Sequence, residues 1–168
     1  MMITRRHLLS LLAFSSAAVP ITAALEMYSW WDVPASEPFK HLSSEEADQV
    51  RRIADALFPA GSTVNLSGGS AQLDRFLDRL IDQFGEIEIS LIKVLLNGLE
   101  PLPFVEYGST FSELLPKQRL NFLNAWLHND SHLIRNAMMS IVTLMGMGYT
   151  SHPKVSPLLS THHKCGFG

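Results

Sequence analysis

Five segments between residues 43 and 155 carry apolar residues at helical spacing, and this pattern constrains the fold more than any other feature. No segment shows the sustained two-residue alternation that half-buried strands need. The clearest apolar face, in residues 71–84, consists of Leu73, Phe76, Leu77, Leu80, Ile81 and Phe84. The sequence therefore predicts an all-α domain, a small irregular bundle of about five helices.

Local signals predict where these helices begin and end. Ser43 and Glu46, three residues apart, form a capping-box pattern at the start of the first helix, and Pro59 with Gly61 follows its end. The second helix is predicted over 71–84, and the third from Ile87 to Asn97–Gly98. The fourth is predicted to begin at Pro116 and to end at Asn129-Asp130-Ser131. The fifth is predicted from His132 to Met147, where Gly146 and Gly148 end it.

Two features between these helices predict solvent-exposed structure. The charged residues of the second helix lie opposite its apolar face and are expected to be solvated; they are Asp74, Arg75, Asp78, Arg79 and Asp82. Ser67-Gly68-Gly69-Ser70 is expected to be a flexible loop, and the proline-rich stretch around Pro101 and Pro103 an irregular connection.

Residues 1–24 have the organisation of an export signal. A positive start precedes an apolar run from Leu8 to Ala18, and small residues follow through Ala24. The run is too short for a comfortable membrane span, although an uncleaved signal could still anchor the chain.

An arginine pair in this segment points to a particular export route. Thr4-Arg5-Arg6 resembles the start of the twin-arginine signal, which carries folded proteins, with Leu8 in place of the usual Phe and Ser10 in place of Lys. An ordinary secretory signal that happens to contain two arginines is the alternative.

Charge and cysteine content exclude several function classes. The formal net charge of −3 and the lack of a basic cluster after the signal give no reason to expect nucleic-acid binding. Cys165 is the only cysteine, so an internal disulfide and a covalently attached c-type haem are both excluded.

No catalytic, cofactor-binding or metal-binding signature stands out. His128 and His132 would share a face on a continuous helix, but Asn129-Asp130-Ser131 is expected to interrupt it, which favours surface or capping roles. The tail sequence His162-His163-Lys164-Cys165 holds one thiol and no matching ligand cluster. We therefore predict no catalytic residue and no metal ligand.

The candidate partner interface consists of aromatic and methionine residues. Residues 25–42 are predicted to be an extended lead-in whose Trp30 and Trp31 lie either on the domain or on a partner. Met138, Met139 and Met145 crowd the fifth helix, where methionine serves either an adaptable binding surface or core packing.

Six motifs in order resemble one family, the small subunit (subunit 3) of membrane-bound gluconate 2-dehydrogenase. The resemblance runs from about Leu42 to Val155 and places the helical domain at residues 43–155, with a tail at 156–168. Its motifs are Ile53-Ala54-Asp55-Ala56-Leu57-Phe58-Pro59, Phe111-x-x-Leu114, Pro116-x-x-Arg119, Phe122-Leu123-x-x-Trp126, Arg135, and Gly148-Tyr149-Thr150-x-x-Pro153-x-Val155. The chain departs from the family after Leu158, where paired histidines replace an aromatic-glycine-proline end.

This resemblance implies a non-catalytic accessory subunit. Such a subunit binds, stabilises and co-exports a large FAD-dependent dehydrogenase of the glucose–methanol–choline (GMC) type, which oxidises sugars, polyols or sugar acids. A multihaem cytochrome c often accepts the electrons. The twin-arginine translocase would carry the complex to the periplasm, with Arg5 and Arg6 as the translocation signal. The alternative is an independent exported helical protein that binds a small ligand or metal.

Overall fold

The computed structural model describes residues 32–61 and 64–160, with the side chain of Ser160 excepted, and in these ranges it is helical without strands. From Pro34 onward the described residues form one compact unit. Five helices have nine residues or more, and two are single short turns. In chain order they are α1 Ser44–Leu57, α2 Leu73–Ile81, α3 Glu86–Leu99, α4 Phe104–Tyr107, α5 Pro116–Leu127, α6 His132–Ser151 and α7 Ser156–Ser160. The predicted all-α fold is confirmed.

Helix α1 is the centre of the bundle. It packs against α2, α3 and α5, and α6 closes the other side by packing on α2 and α5. Ile53 of α1 lies in the core with fully buried side chains from the surrounding elements: Leu42, Leu73, Leu77, Ile81, Leu96, Leu99, Phe111, Phe122, Leu123, Met138 and Met145.

Helix starts agree well with the sequence predictions. Ser43 caps α1, accepting a hydrogen bond from the Glu46 backbone N–H, while the Glu46 carboxylate accepts one from the Ser43 N–H at 2.8 Å. Pro116 opens α5 and His132 opens α6, as predicted.

Helix ends agree less well, because three predicted boundaries are wrong. α2 stops at Ile81 rather than Phe84. α3 continues through Asn97 and Gly98 to Leu99, and the Asn97 amide donates to the Glu46 carboxylate at 2.7 Å. α6 continues to Ser151, because neither Gly146 nor Gly148 ends it.

The two glycines of α6 have different surroundings. A Cβ on Gly148 would lie 2.6 Å from Cδ1 of Phe76 and 3.0 Å from Cδ2 of Leu73, so glycine allows α2 to approach α6 closely. A Cβ on Gly146 would have nothing within 4 Å. Close packing therefore explains one glycine inside this helix, and nothing in the structure explains the other.

The prediction that all charged residues of α2 are solvated is wrong for two aspartates. Asp74 and Asp78 are buried, at 4% and 8% exposure. The Asp78 carboxylate accepts three backbone hydrogen bonds, from Lys40 at 3.0 Å, His41 at 2.8 Å and Leu42 at 3.1 Å. Asp78 therefore fixes the lead-in to α1 against α2.

The glycine-rich connection before α2 is held against α1 rather than free, so the predicted flexible loop is also wrong. The Gly68 N–H donates to the Phe58 carbonyl at 2.8 Å, and the Gly69 N–H donates to the Asp55 carboxylate at 2.8 Å. A Cβ on Gly68 would lie 2.1 Å from the Ala54 carbonyl oxygen. Only glycine allows the two backbones to approach this closely.

Within the described residues, no helix is both long enough and apolar enough to span a membrane.

Candidate partner interface

The structure describes only part of the predicted interface. Arg5, Arg6, Trp30 and Trp31 lie outside the described residues. The prediction of a translocation signal and that of a tryptophan contact therefore remain sequence-based.

The methionines of α6 divide between core and surface. Met138 and Met145 are 0% and 1% exposed and belong to the core, so their proposed place in a partner interface is wrong. They point inward because their spacing of seven residues puts both on the helix face that packs on α2 and α5. Met139 is 51% exposed, as is Met147, so the outward face of α6 keeps two methionines.

Of the two central histidines, one is a helix cap and the other is the first residue of the next helix. His128 is the C-cap of α5, where its Nδ1 lies 2.8 Å from the Asn124 carbonyl, and His132 begins α6 beside Arg135. The helix is interrupted between them as predicted, because Ser131 is the N-cap of α6. Among the residues that the structure describes, no three His, Cys, Asp or Glu side chains are placed to hold a metal ion.

The residues that carry the family resemblance build the inside of the fold. The rings of Phe58 and Tyr149 stack with centroids 4.3 Å apart, and the Tyr149 hydroxyl donates to the Leu66 carbonyl at 2.7 Å. Phe111, Phe122 and Trp126 form a chain of ring contacts at 6.0 and 5.3 Å. These aromatic residues therefore join α6 to the end of α1, and α5 to the segment before it.

The motif arginine Arg119 holds the segment before α5. Its guanidinium donates to the Phe111 carbonyl at 3.0 Å and the Ser112 carbonyl at 2.6 Å, and Arg52 donates to the Ser112 carbonyl at 3.2 Å. Burial, and next the neighbouring positive charge of Arg52, lower the pKa of Arg119. Arg119 thus has a structural role in fixing the backbone at residues 111 and 112.

Exposed apolar side chains are concentrated in residues 84–115, which we name the acidic–apolar segment. On α3, Ile87 and Leu91 are 74% and 62% exposed and lie four residues apart, hence on one side of the helix. Beyond α3, Phe104 is 62% and Val105 is 95% exposed. Phe84, Leu102 and Leu115 complete the set of exposed large hydrophobic residues in this segment.

The exposed Phe104 and Val105 lie on a loop that is closed at its base. The Phe111 N–H donates to the Glu100 carbonyl at 2.9 Å, and the Ser112 N–H donates to the Glu100 carboxylate at 3.2 Å. Between these ends, the 100–111 loop contains the single turn α4, which ends at Gly108 in the left-handed conformation with φ 66°. The predicted irregular connection is therefore a closed loop with a fixed base.

The charges of the acidic–apolar segment are almost all negative. It contains five glutamates and one lysine, a formal charge of −4. The lysine, Lys93, is buried and lies 3.5 Å from the buried Glu46 carboxylate. The glutamates Glu86, Glu88, Glu106 and Glu113 are exposed, and Glu100 is half-buried. The surface of this segment therefore combines apolar side chains with carboxylates.

Desolvation, and next the charge of Glu106, raise the pKa of Tyr107.

A polar cleft between α1 and α3 is the other notable feature. It has a volume of about 270 Å³ and is lined by Gln49, Arg52, Leu96, Asn97 and Ser112 together with Glu45, Glu46, Asp48 and Glu100. Gln49 is 6% exposed, and its Nε2 has no hydrogen-bond partner among the described residues. A larger cleft of about 390 Å³ lies between α1 and α2, beside Arg51 and Arg75.

Sequence reasoning missed the acidic–apolar segment because α3 has apolar residues around much of its circumference. Ile87 and Leu91 fit the helical spacing of α3, and periodicity alone does not separate the side that meets α1 from the side that meets solvent. The uniform sign of the exposed charges in residues 84–115 was the available signal.

Comparisons with known proteins give no independent assignment. No protein-family model, no curated protein and no solved structure matches the chain.

Proposed function

We propose that the chain is a non-catalytic small subunit that binds, stabilises and co-exports an FAD-dependent dehydrogenase of the GMC type. The observation that carries this proposal is the group of exposed apolar side chains on hydrogen-bonded elements, above all Ile87, Leu91, Phe104 and Val105. Several large apolar side chains exposed in one segment of an otherwise well-packed domain are typical of a protein-binding surface.

Two sequence features support this choice of partner. The six ordered motifs resemble subunit 3 of gluconate 2-dehydrogenase, and the Arg5-Arg6 pair resembles a signal for export in the folded state. Under this proposal the FAD and the substrate site belong to the partner. A multihaem cytochrome c would be a third subunit, and the complex would act in the periplasm or at the periplasmic face of the inner membrane.

The test is the location of the dehydrogenase activity. The partner is taken as the product of a neighbouring reading frame that encodes a Gly-x-Gly-x-x-Gly flavoprotein without an export signal. Replacing Arg5 and Arg6 together by Lys is expected to leave its activity in the cytoplasm. The matched control replaces Arg75 and Arg79, both exposed on α2, by Lys and should leave export unchanged. Normal periplasmic activity in the Arg5→Lys/Arg6→Lys variant contradicts the proposal.

The cleft between α1 and α3 favours a second candidate function, an independent exported binding protein for a small polar ligand. The buried Gln49 Nε2 offers a hydrogen bond that no described residue accepts, and a ligand oxygen would satisfy it. Native mass spectrometry of the chain produced alone distinguishes the two functions. A retained small molecule that is lost in Gln49→Leu supports this candidate, and a ligand-free chain that associates with the flavoprotein contradicts it.

A further inference from the structure

We propose that the acidic–apolar segment, residues 84–115, is the surface that docks on the partner, and that the partner's contact site is an apolar pocket bordered by lysine and arginine. This inference rests on the proposed function and deepens it, because it names the surface and the chemistry of the protein that recognises it.

The first step is the position of the apolar side chains. Phe104 and Val105 are adjacent residues at the exposed tip of the 100–111 loop, and Leu102 beside them is 39% exposed. Aromatic side chains, phenylalanine included, are enriched in the buried centres of protein interfaces, so Phe104 is the candidate for the central contact. Ile87 and Leu91 add an exposed apolar stripe on α3, the helix that leads into the loop.

The second step is the rigidity of the loop. Its base is closed at Glu100 by the hydrogen bonds from Phe111 and Ser112. Its turn is closed by the Tyr107 N–H on the Pro103 carbonyl at 2.8 Å and the Gly108 N–H on the Phe104 carbonyl at 3.0 Å. A loop already held in its conformation loses little conformational entropy when it binds.

The third step is charge, which selects the class of partner. The only positive charge in the segment, that of Lys93, is buried against Glu46, so every charge exposed in the segment is a glutamate. An anionic lipid surface attracts basic residues and repels carboxylates, which argues against membrane docking. A protein pocket bordered by basic residues is complementary to this surface.

The experiment measures association of the full chain with the flavoprotein partner, using purified proteins and surface plasmon resonance. The double variant Phe104→Ser/Val105→Ser is expected to weaken the affinity by at least about 30-fold, as expected for a hot spot. The matched control is Leu133→Ser/Leu159→Ser, which removes two exposed leucines outside the segment and should bind as the wild type does.

Charge is tested with a second pair of variants. Glu106→Lys is expected to lower the association rate by about tenfold at low salt, because it places a positive charge beside the tip. Asp130→Lys makes the same change of charge in the exposed connection between α5 and α6 and should leave the rate unchanged.

Each outcome decides between the proposals. If the wild-type chain does not associate with the flavoprotein, both the proposed function and this inference are wrong. If it associates and the tip variant binds as well as its control, or if Met139→Lys/Met147→Lys on α6 abolishes binding instead, only the inference is wrong. Tip-dependent binding to phosphatidylserine–phosphatidylcholine vesicles, or a dimer in light scattering that the tip variant dissociates, would also overturn it.

Discussion

Single side chains fix segments that have no regular structure of their own. Asp78 holds the lead-in to α1 through three backbone N–H groups, and Arg119 holds residues 111 and 112 through their carbonyls. Hydrogen bonds to a charged group contribute more than an exposed ion pair does, and most where the group is buried, as Asp78 is. The irregular parts of this fold therefore depend on a few charged residues.

Replacing Asp78 by Ala is expected to lower the free energy of unfolding by about 2–4 kcal/mol, because backbone donors of residues 40–42 lose their acceptor. Urea unfolding followed by far-ultraviolet circular dichroism measures this change. A loss no greater than that of an ordinary surface substitution would show that Asp78 does not hold the lead-in.

Asp82, the C-cap residue that follows α2, provides the control and a pH signature. Hydrogen bonds from Lys40 and then His41 lower the pKa of Asp82 below its ordinary 3.8. Since the folded-state pKa is lowered, the stabilisation is present above the ordinary pKa and is lost as the pH falls through the lowered value. Asp82→Asn should thus be slightly less stable than the wild type at neutral pH, and the difference should disappear in acid.

The aspartates of α2 also show that a local residue pattern does not predict contacts with distant parts of the chain. The alternation of apolar and charged faces in residues 71–84 correctly identifies the helix and the buried Leu73, Leu77 and Ile81, whereas Phe84 lies beyond the helix and is exposed. The burial of Asp74 and Asp78 arises because other parts of the chain, Arg51 and residues 40–42, lie against them. Such contacts between distant residues have no local sequence signal.

At the scale of elements, signals for helix starts are more reliable in this sequence than glycine is as a signal for helix ends. Ser43 and Pro116 mark helix starts correctly, because the first turn of a helix leaves N–H groups that a local side chain or a proline accommodates. Glycine inside α3 and α6 does not end either helix. Tertiary packing offsets the intrinsic cost of glycine, and only the structure shows where that packing occurs.

The two glycines of α6 give a matched pair of substitutions. Gly146→Ala is expected to stabilise the protein by about 0.5–1 kcal/mol, since its Cβ meets nothing and alanine favours the helix. Gly148→Ala is expected to destabilise it by about 1–3 kcal/mol, because Leu73 and Phe76 would have to move. Thermal unfolding of both variants measures the difference, and equal shifts in the same direction would exclude close packing of α2 on α6.

For the whole molecule, charge is distributed unevenly. Residues 84–115 carry a formal charge of −4 within a chain of net −3, so the rest of the chain sums to only +1. A surface of one sign on an otherwise nearly neutral protein orients the protein as it approaches an oppositely charged partner. Under the proposed function, the signal exports the complex, the buried aromatic residues stabilise the bundle, and the loop tip binds the partner.

Association with the flavoprotein is accordingly expected to weaken as NaCl rises from about 0.05 to 0.5 M, because the Debye length falls and the carboxylates are screened. The salt dependence should persist in Phe104→Ser/Val105→Ser and diminish in Glu106→Lys. Surface plasmon resonance across the salt series measures both effects. Affinity that increases with salt would instead indicate a purely apolar contact.

In the 100–111 loop, the residues that stabilise the fold differ from the residues that are exposed to a partner. Glu100, Phe111 and Ser112 join the two ends of the loop, and Tyr107 packs against the core from within it. Phe104 and Val105 are exposed between these contacts, so replacing them changes the surface that the chain presents and leaves the hydrogen bonds at the base in place.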